Sequence, residues 1–344
     1  MEGRSQHVSV QGSVSEKFDL KWEVPQGSCL GPLLFILYAS ELFNIFEAHL
    51  PSVHCYVDDI QLYLSFRPND NHGEDDALKA MELCVQDIRA WLSRDKLFMN
   101  DKKTEFLVIG TRQQLKKVSI DCLTIGAEKI LVAEKLVKNL GMWLDSKLSM
   151  DANITKTCAA AFYFLDNIRR IRRYLSKEST ESLIHAFISS RLDYCNSLFY
   201  NIPAYQLEKL QRIQNAAARL ILKESKFCHI TPLLMTLHWL PVKYRIHFKI
   251  LLLTFKAINF LAPSYICDLV TLKKPSNYNL RSNSSLVLDP PKVKTLPTLG
   301  DRSFSFAAPK LWNKLPNYIR TSATITIFKP QLKTYLFRVA FDLN

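Results

Sequence analysis

The 344-residue sequence predicts an α+β chain made of two contrasting parts. Three observations carry that expectation. Short apolar runs, some alternating, fill the first 150 residues, with helical periodicity between them. From residue 151 the pattern changes to long repeats at three and four. The charge changes with it: residues 1–150 hold 17 Lys and Arg against 21 Asp and Glu, and residues 151–344 hold 28 against 11. A helical half with that excess of positive charge suits a polyanion, nucleic acid foremost.

Composition narrows the class. At 48% hydrophobic and 22% charged the chain has a globular balance. No run reaches the ~18 apolar residues of a membrane span, GPLLFILYA being far too short. The first twenty residues lack the apolar core of a secretory signal. A membrane partner is therefore not expected. The eight cysteines stand singly, with no metal-ligand spacing. They read as reduced thiols of an intracellular protein, nucleus or cytoplasm undecided.

The elements follow in order. Residues 6–24 predict a strand or short hairpin, and PQGS at 25–28 a turn. Pro32 suits the first turn of a helix running through PLLFILYASELFNIFEAHL. Its wide apolar face (Leu34, Phe35, Leu37, Leu42, Ile45, Phe46) is expected to be mostly buried. HCYVDDIQLYLSF predicts strands 53–57 and 60–66 joined across Asp58–Asp59. After a polar loop, ALKAMELCVQDIRAWLSRDKL is the clearest amphipathic helix, with Leu78, Met81, Val85, Ile88 and Leu92 on one face. Strands are expected at TEFLVIG, KVSIDCLTI, KILVAEK and KNLGMWLDS. Helices are expected over 151–175, 179–200, 204–223 and 242–260. A Pro-, Ser- and Asn-rich stretch near 271–300 reads as a linker, and a last helix falls near 328–340.

The chemistry centres on Asp58 and Asp59. Adjacent carboxylates at a hairpin tip repel each other unless a cation sits between them. Taken alone, the pair is more often a solvated turn. Mg²⁺, small and hard, is the natural cation for such oxygen ligands. Two such ions ~3.5–4 Å apart can activate a hydroxyl and stabilise a leaving pyrophosphate.

VPQGSCLGPLLF, followed about thirty residues later by YVDD, resembles the pattern of reverse transcriptases, most closely those of non-LTR (LINE-type, jockey-like) retrotransposons. LFMNDKKTEFLVIG resembles their next palm motif and KNLGMWLDSKLSM the hairpin that grips the primer end. RLDYCNSLFYNIP, LQRIQNAAARLIL and LHWLPVKYRIHFKI resemble the region after the polymerase core. The resemblance runs from about residue 9 to the end of the chain. It implies a partial polymerase palm (an antiparallel sheet with packed helices) over 1–148, an all-helical thumb-like domain over 149–225 and a mostly helical C-terminal region over 226–344.

It also implies roles. Asp58 and Asp59 would ligate Mg²⁺, two ions being expected in an intact enzyme of the family. Tyr56 and Val57 would lie under the incoming nucleotide or primer end. Pro25, Gln26, Gly27 and Ser28 would contact the templating base and nucleotide sugar. Lys103 would donate a proton to the departing pyrophosphate. Gly141, Met142 and Trp143 would form the primer grip. In NIRRIRRYL, Arg169, Arg170, Arg172 and Arg173 share one side of a helix and would meet the nucleic-acid backbone. The implied partners are an RNA template, a DNA primer and deoxynucleoside triphosphates.

Two departures qualify the resemblance. The family carries a further catalytic carboxylate, and its fingers, well upstream of the P-Q-G loop; Asp19, seven residues before Gln26, is too close to be that carboxylate. Glu23 stands where the family usually has glycine. The expectation is thus the C-terminal part of such an enzyme, from the P-Q-G loop onward, with little or no polymerase activity alone. The alternative is a non-enzymatic nucleic-acid-binding remnant that uses the basic helical half.

Overall fold

The computed structural model describes residues 5–19, 27–68, 72–126, 128–133, 136–273, 286–291 and 300–343. The chain divides into two compact units, Met1–Glu134 and Lys135–Asn344.

The first unit opens with four two-residue strands, β1 (Ser5–Gln6), β2 (Ser9–Val10), β3 (Ser13–Val14) and β4 (Phe18–Asp19). β1 pairs with β4 and β2 with β3, both antiparallel. The single helix expected next is two: α1 (Gly31–Ala39) and α2 (Leu42–Ala48). Ser40 explains the break. Its hydroxyl donates to the Leu37 carbonyl at 2.6 Å, competing with the backbone for that acceptor. The amides of Ser40, Phe43 and Asn44 then bond carbonyls only three residues back. The expected burial also fails. α2 buries Leu42 and Phe46, but α1 buries nothing and Leu37 is 70% exposed. As a window of 18 residues, Gly31–Ala48 does pass for a membrane span by length and composition, against the expectation that no segment would. As folded, helices of nine and seven residues reach ~14 and ~10 Å, short of a ~30 Å hydrocarbon layer.

Strands β5 (Ser52–Tyr56) and β6 (Asp59–Tyr63) form an antiparallel hairpin. Helix α3 (Gly73–Arg94) follows, with Glu74, Asp75 and Asp76 at its positive end. It buries Cys84, Val85, Ile88 and Trp91, with Leu78, Met81 and Leu92 partly covered. One side packs with α2 and the hairpin residues Val53, Ile60 and Leu62. Another packs with Leu123 and Ile125 of the hairpin β7 (Cys122–Ile125) and β8 (Glu128–Leu131). Between them the short α4 (Arg112–Leu115) carries a Thr111–Gln114 capping box. TEFLVIG is not a strand: among the described residues it makes a single isolated bridge, Phe106 to Val132, and a strand needs a ladder throughout.

The second unit starts with the hairpin β9 (Val137–Asn139) and β10 (Met142–Leu144). Its turn residues, Leu140 and Gly141, have φ of 44° and 83°, as the twist of a two-residue hairpin loop requires. Helix α5 (Asp151–Ile171) ends in a 3₁₀ turn, Arg172–Tyr174. The next helical run comprises α6 (Lys177–Ile184), a π-helical segment His185–Ser189 and α7 (Ser190–Asp193). It stops well before 200 because Tyr194 is extended and Cys195 left-handed. Then come α8 (Ala204–Leu222), α9 (Ile230–Thr236), α10 (Val242–Ile258) and α11 (Ser264–Cys267). Asp193 accepts from Arg245 Nε at 2.8 Å, tying α7 to α10. β11 (Thr271–Leu272) pairs with β12 (Leu288–Asp289), and most of the expected linker lies outside the described residues. Helices α12 (Phe304–Trp312), α13 (Asn317–Arg320) and α14 (Ile325–Ala340) close the chain.

Two cores hold this unit. Leu165, Ile184, Leu210 and Ile213 lie fully buried in one. Trp312, Phe255 and Phe328 fill the other, the two phenyl rings stacked at 4.3 Å. Each such side chain contributes ~1.5–3 kcal/mol of burial. The mixed helix-and-strand composition matches the expected α+β class. Among the described residues, however, the strands form six two-stranded sheets and not one broader antiparallel sheet.

Candidate functional site

The β5–β6 hairpin presents the acidic pair. The turn lies one residue earlier than expected: Tyr56 pairs with Asp59, so Val57 and Asp58 make the bend and Asp59 begins the strand. Val57 sits at φ 58°, a left-handed conformation costly for a β-branched residue. Register assigns the faces. Cys55↔Ile60 and Val53↔Leu62 share the side that packs on α2 and α3, whereas Tyr56↔Asp59 and His54↔Gln61 share the other. On that second face His54 stacks on Tyr63 at 5.4 Å. Tyr56, Val57, Asp58 and Asp59 are all exposed.

Among the described residues, neither Asp58 nor Asp59 has a hydrogen-bond or ion-pair partner within the protein. Two uncompensated carboxylates side by side fit a hard, oxygen-seeking cation. Among the described residues no group of three or more His, Cys, Asp or Glu could hold a metal. Among the described residues the pair therefore does not make a complete metal site by itself.

Pro25 and Gln26 lie outside the described residues. Gly27 has φ 89°, open to glycine and strained for any side chain. Ser28 Oγ accepts the Gly31 N–H at 3.0 Å, serving the first turn of α1. Lys103 is exposed and closes the 3₁₀ turn Asp101–Lys103. That turn is held by a pair the sequence did not disclose. Arg89 of α3 donates to the Asp101 carboxylate and to the Ile125 carbonyl at 3.2 Å.

In the second unit, Met142 is buried and Gly141 lies against the Tyr194 ring, whose hydroxyl donates to the Leu140 carbonyl. The Trp143 amide donates to Asn153 Oδ1 at 3.1 Å, and the Lys156 ammonium lies 3.3 Å from its ring centroid. Asp145 ends this hairpin. Partial burial opposes its ionisation, but the Ser149 and Lys147 amides and the Ser149 hydroxyl outweigh that and hold it below the usual carboxylate range. Asn153, Lys156 and Tyr194 went unnoticed in the sequence because nothing local marks them.

The four arginines do not act alike. Arg169 pairs with Asp166, Arg170 is exposed, and Arg173 lies over the Tyr174 ring at 4.6 Å. Arg172 corrects the expectation of a backbone contact. It is 8% exposed, and its guanidinium donates to the carbonyls of Leu175, Leu220 and Ile221. It serves the orphan carbonyls at the end of α8.

Residues 5–144 match the family described as reverse transcriptase (RNA-dependent DNA polymerase). The chain is also similar to two curated Drosophila melanogaster proteins. One is a probable RNA-directed DNA polymerase from transposon BS, 26% identical over 53% of this chain and 20% of the relative. The other is a probable RNA-directed DNA polymerase from transposon X-element, 23% identical over 64% of this chain and 24% of the relative. The chain thus spans only about a fifth to a quarter of their length. No solved structure matches it. The hairpin tip, the Gly27–Ser28 loop, Lys103 and β9–β10 fall inside the family match, and the α5 arginines fall outside it.

Proposed function

We propose that this chain is part of an RNA-directed DNA polymerase of a non-LTR retrotransposon, with residues 1–148 as a partial palm and residues 149–225 as a thumb-like element. One observation carries the reading: adjacent, exposed carboxylates, unpaired among the described residues, on a strained hairpin tip within the stretch that matches the reverse transcriptase family. Asp58 and Asp59 would hold Mg²⁺, which when bound supplies charge neutralisation for phosphoryl transfer. The chain's own residues position. Packing of Val53, Ile60 and Leu62 fixes the hairpin root. Tyr56, across from Asp59, offers an aromatic face to a nucleotide or primer end. Lys103, on a turn pinned by Arg89, offers a cation and a proton to a leaving pyrophosphate.

Two carboxylates leave the ion short of ligands, and ~1 Å of misplacement costs about a hundredfold in rate. The proposal is therefore weak polymerase activity for the isolated chain. The test has two readouts. Mn²⁺ binding, followed by water-proton relaxation with an RNA–DNA primer–template present, should weaken at least tenfold in Asp58→Asn. Primer extension with Mg²⁺ should stay near background. Unchanged Mn²⁺ binding overturns the site, and robust synthesis overturns the weak activity.

A second reading, nucleic-acid binding without catalysis, draws on the exposed Arg170 and Arg173 with Tyr174 beside them. Tight, steeply salt-dependent binding of RNA–DNA hybrid together with unaltered Mn²⁺ binding in Asp58→Asn would favour it.

A further inference from the structure

The helices beyond the family match carry a cationic cluster that the polymerase reading does not use. No Asp or Glu occurs in the sequence between Glu224 and Asp268, or between Asp301 and Asp342. α10 comes from the first acid-free stretch and α12–α14 from the second, and they share one core. On α10, Lys243 and His247 stand four residues apart and so share a face. The Tyr244 ring meets the His247 ring edge-on at 5.8 Å, and the Lys243 ammonium lies 5.9 Å from the Tyr244 ring. The Tyr200 ring also neighbours the imidazole, ring centroids 6.0 Å apart. Lys314 follows α12, its carbonyl accepting the Tyr335 hydroxyl of α14 at 3.5 Å. Lys243 and Lys314 are both exposed.

We propose that Lys243, His247 and Lys314 form a docking surface for the phosphates of a nucleic-acid strand, separate from the hairpin site and from the α5 arginines.

The electrostatics agree. Burial first, then the charges of Lys243 and Lys314, push the His247 imidazole down to about 4. Both lysine charges thus reach the imidazole, and no carboxylate is among the causes of its shift. Two acids lie near these elements: Asp193, held by Arg245 of α10, and Asp301, whose charge adds to burial in raising the Tyr200 phenol. An anion placed between the lysines would relieve their repulsion. A strand of phosphates suits the surroundings better than a compact acidic ligand, because Lys310, Lys329, Lys333 and Arg338 add exposed positive charge on the neighbouring helices.

The test uses the whole chain. Fluorescence anisotropy with a labelled 20-nucleotide RNA is run from 50 to 300 mM KCl. Lys243→Gln with Lys314→Gln should weaken binding about tenfold at 100 mM and lower the log–log salt slope by about 1.4, two single-strand contacts at ~0.7 each. The charge-matched pair Lys116→Gln with Lys117→Gln, exposed and far along the sequence, should weaken it less than threefold. In the unsubstituted protein, RNA should move the His247 ring resonance, assigned with His247→Gln, which tests the site even where a variant fails to fold. An unmoved resonance, equal loss in both pairs, or loss confined to phosphatidylserine vesicles with RNA binding intact overturns the proposal.

Discussion

Arg172 reaches 48 residues along the sequence to donate from Nε to the carbonyl of Leu220 at 2.9 Å. The adjoining Ile221 carbonyl takes Nη2 at 2.8 Å. One buried cation thereby closes the C-terminal end of α8 and joins it to the end of α5. Replacing it by Gln leaves carbonyls without donors in a covered site, and hydrogen bonds to charged groups are worth ~1.5–3 kcal/mol each. Arg172→Gln should cost about 3 kcal/mol in urea denaturation. Arg170→Gln, on the exposed side, should change stability by less than about 0.5 kcal/mol.

Trp143 and Lys156 make a separable contribution. An ammonium 3.3 Å from a ring centroid is worth ~0.5–2 kcal/mol. A double-mutant cycle with Lys156→Met and Trp143→Leu should give a coupling in that range. A coupling near zero would reduce the contact to coincidence.

Val57 should behave against the usual rule for core-strand edges. Glycine in a strand ordinarily costs ~0.5–1 kcal/mol, but strain at a left-handed non-glycine residue costs ~1–3 kcal/mol. Val57→Gly should therefore raise stability by about 1 kcal/mol, read from the thermal midpoint. A loss of that size would show that the turn stores no strain.

His247 gives the chain an acid sensitivity. Its folded value is about 4, below the ~6.5 of an unfolded histidine. Between those values the unfolded state binds the additional proton, so stability is full above ~6.5 and falls as pH drops toward 4. The loss over that window should approach roughly 3 kcal/mol at ~1.4 kcal/mol per pH unit. His247→Gln should flatten the profile there. Asp145 acts lower: its depressed folded value contributes stability above the unfolded carboxylate range, lost only as pH falls through that depressed value.

How much was legible varies with the range of the interaction. Val85 and Ile88 were readable because a buried helix face repeats every three or four residues, and Cys84 and Trp91 simply widen it. The break at Ser40 was not, because one hydroxyl–carbonyl bond leaves no periodic trace. The acidic hairpin was found, but its turn was misplaced by one residue: propensity puts Asp, not Val, at a left-handed position. Arg172 could not be told from Arg169, Arg170 and Arg173, since its partners lie on α8 and periodicity records only spacing.

The π-helical segment at His185–Ser189 has a consequence for tolerance to deletion. Its wider turn accommodates an additional residue relative to a regular α-helix. Losing one residue there would let the stretch close up into a regular α-helix with the downstream residues kept near their present phase. Asp193 would still face Arg245, and the left-handed stop at Cys195 would still meet the 3₁₀ turn that follows. A frame-preserving single-codon deletion in this stretch should be far less damaging than the same deletion in the middle of α8, where it would swing everything downstream by ~100° about the axis.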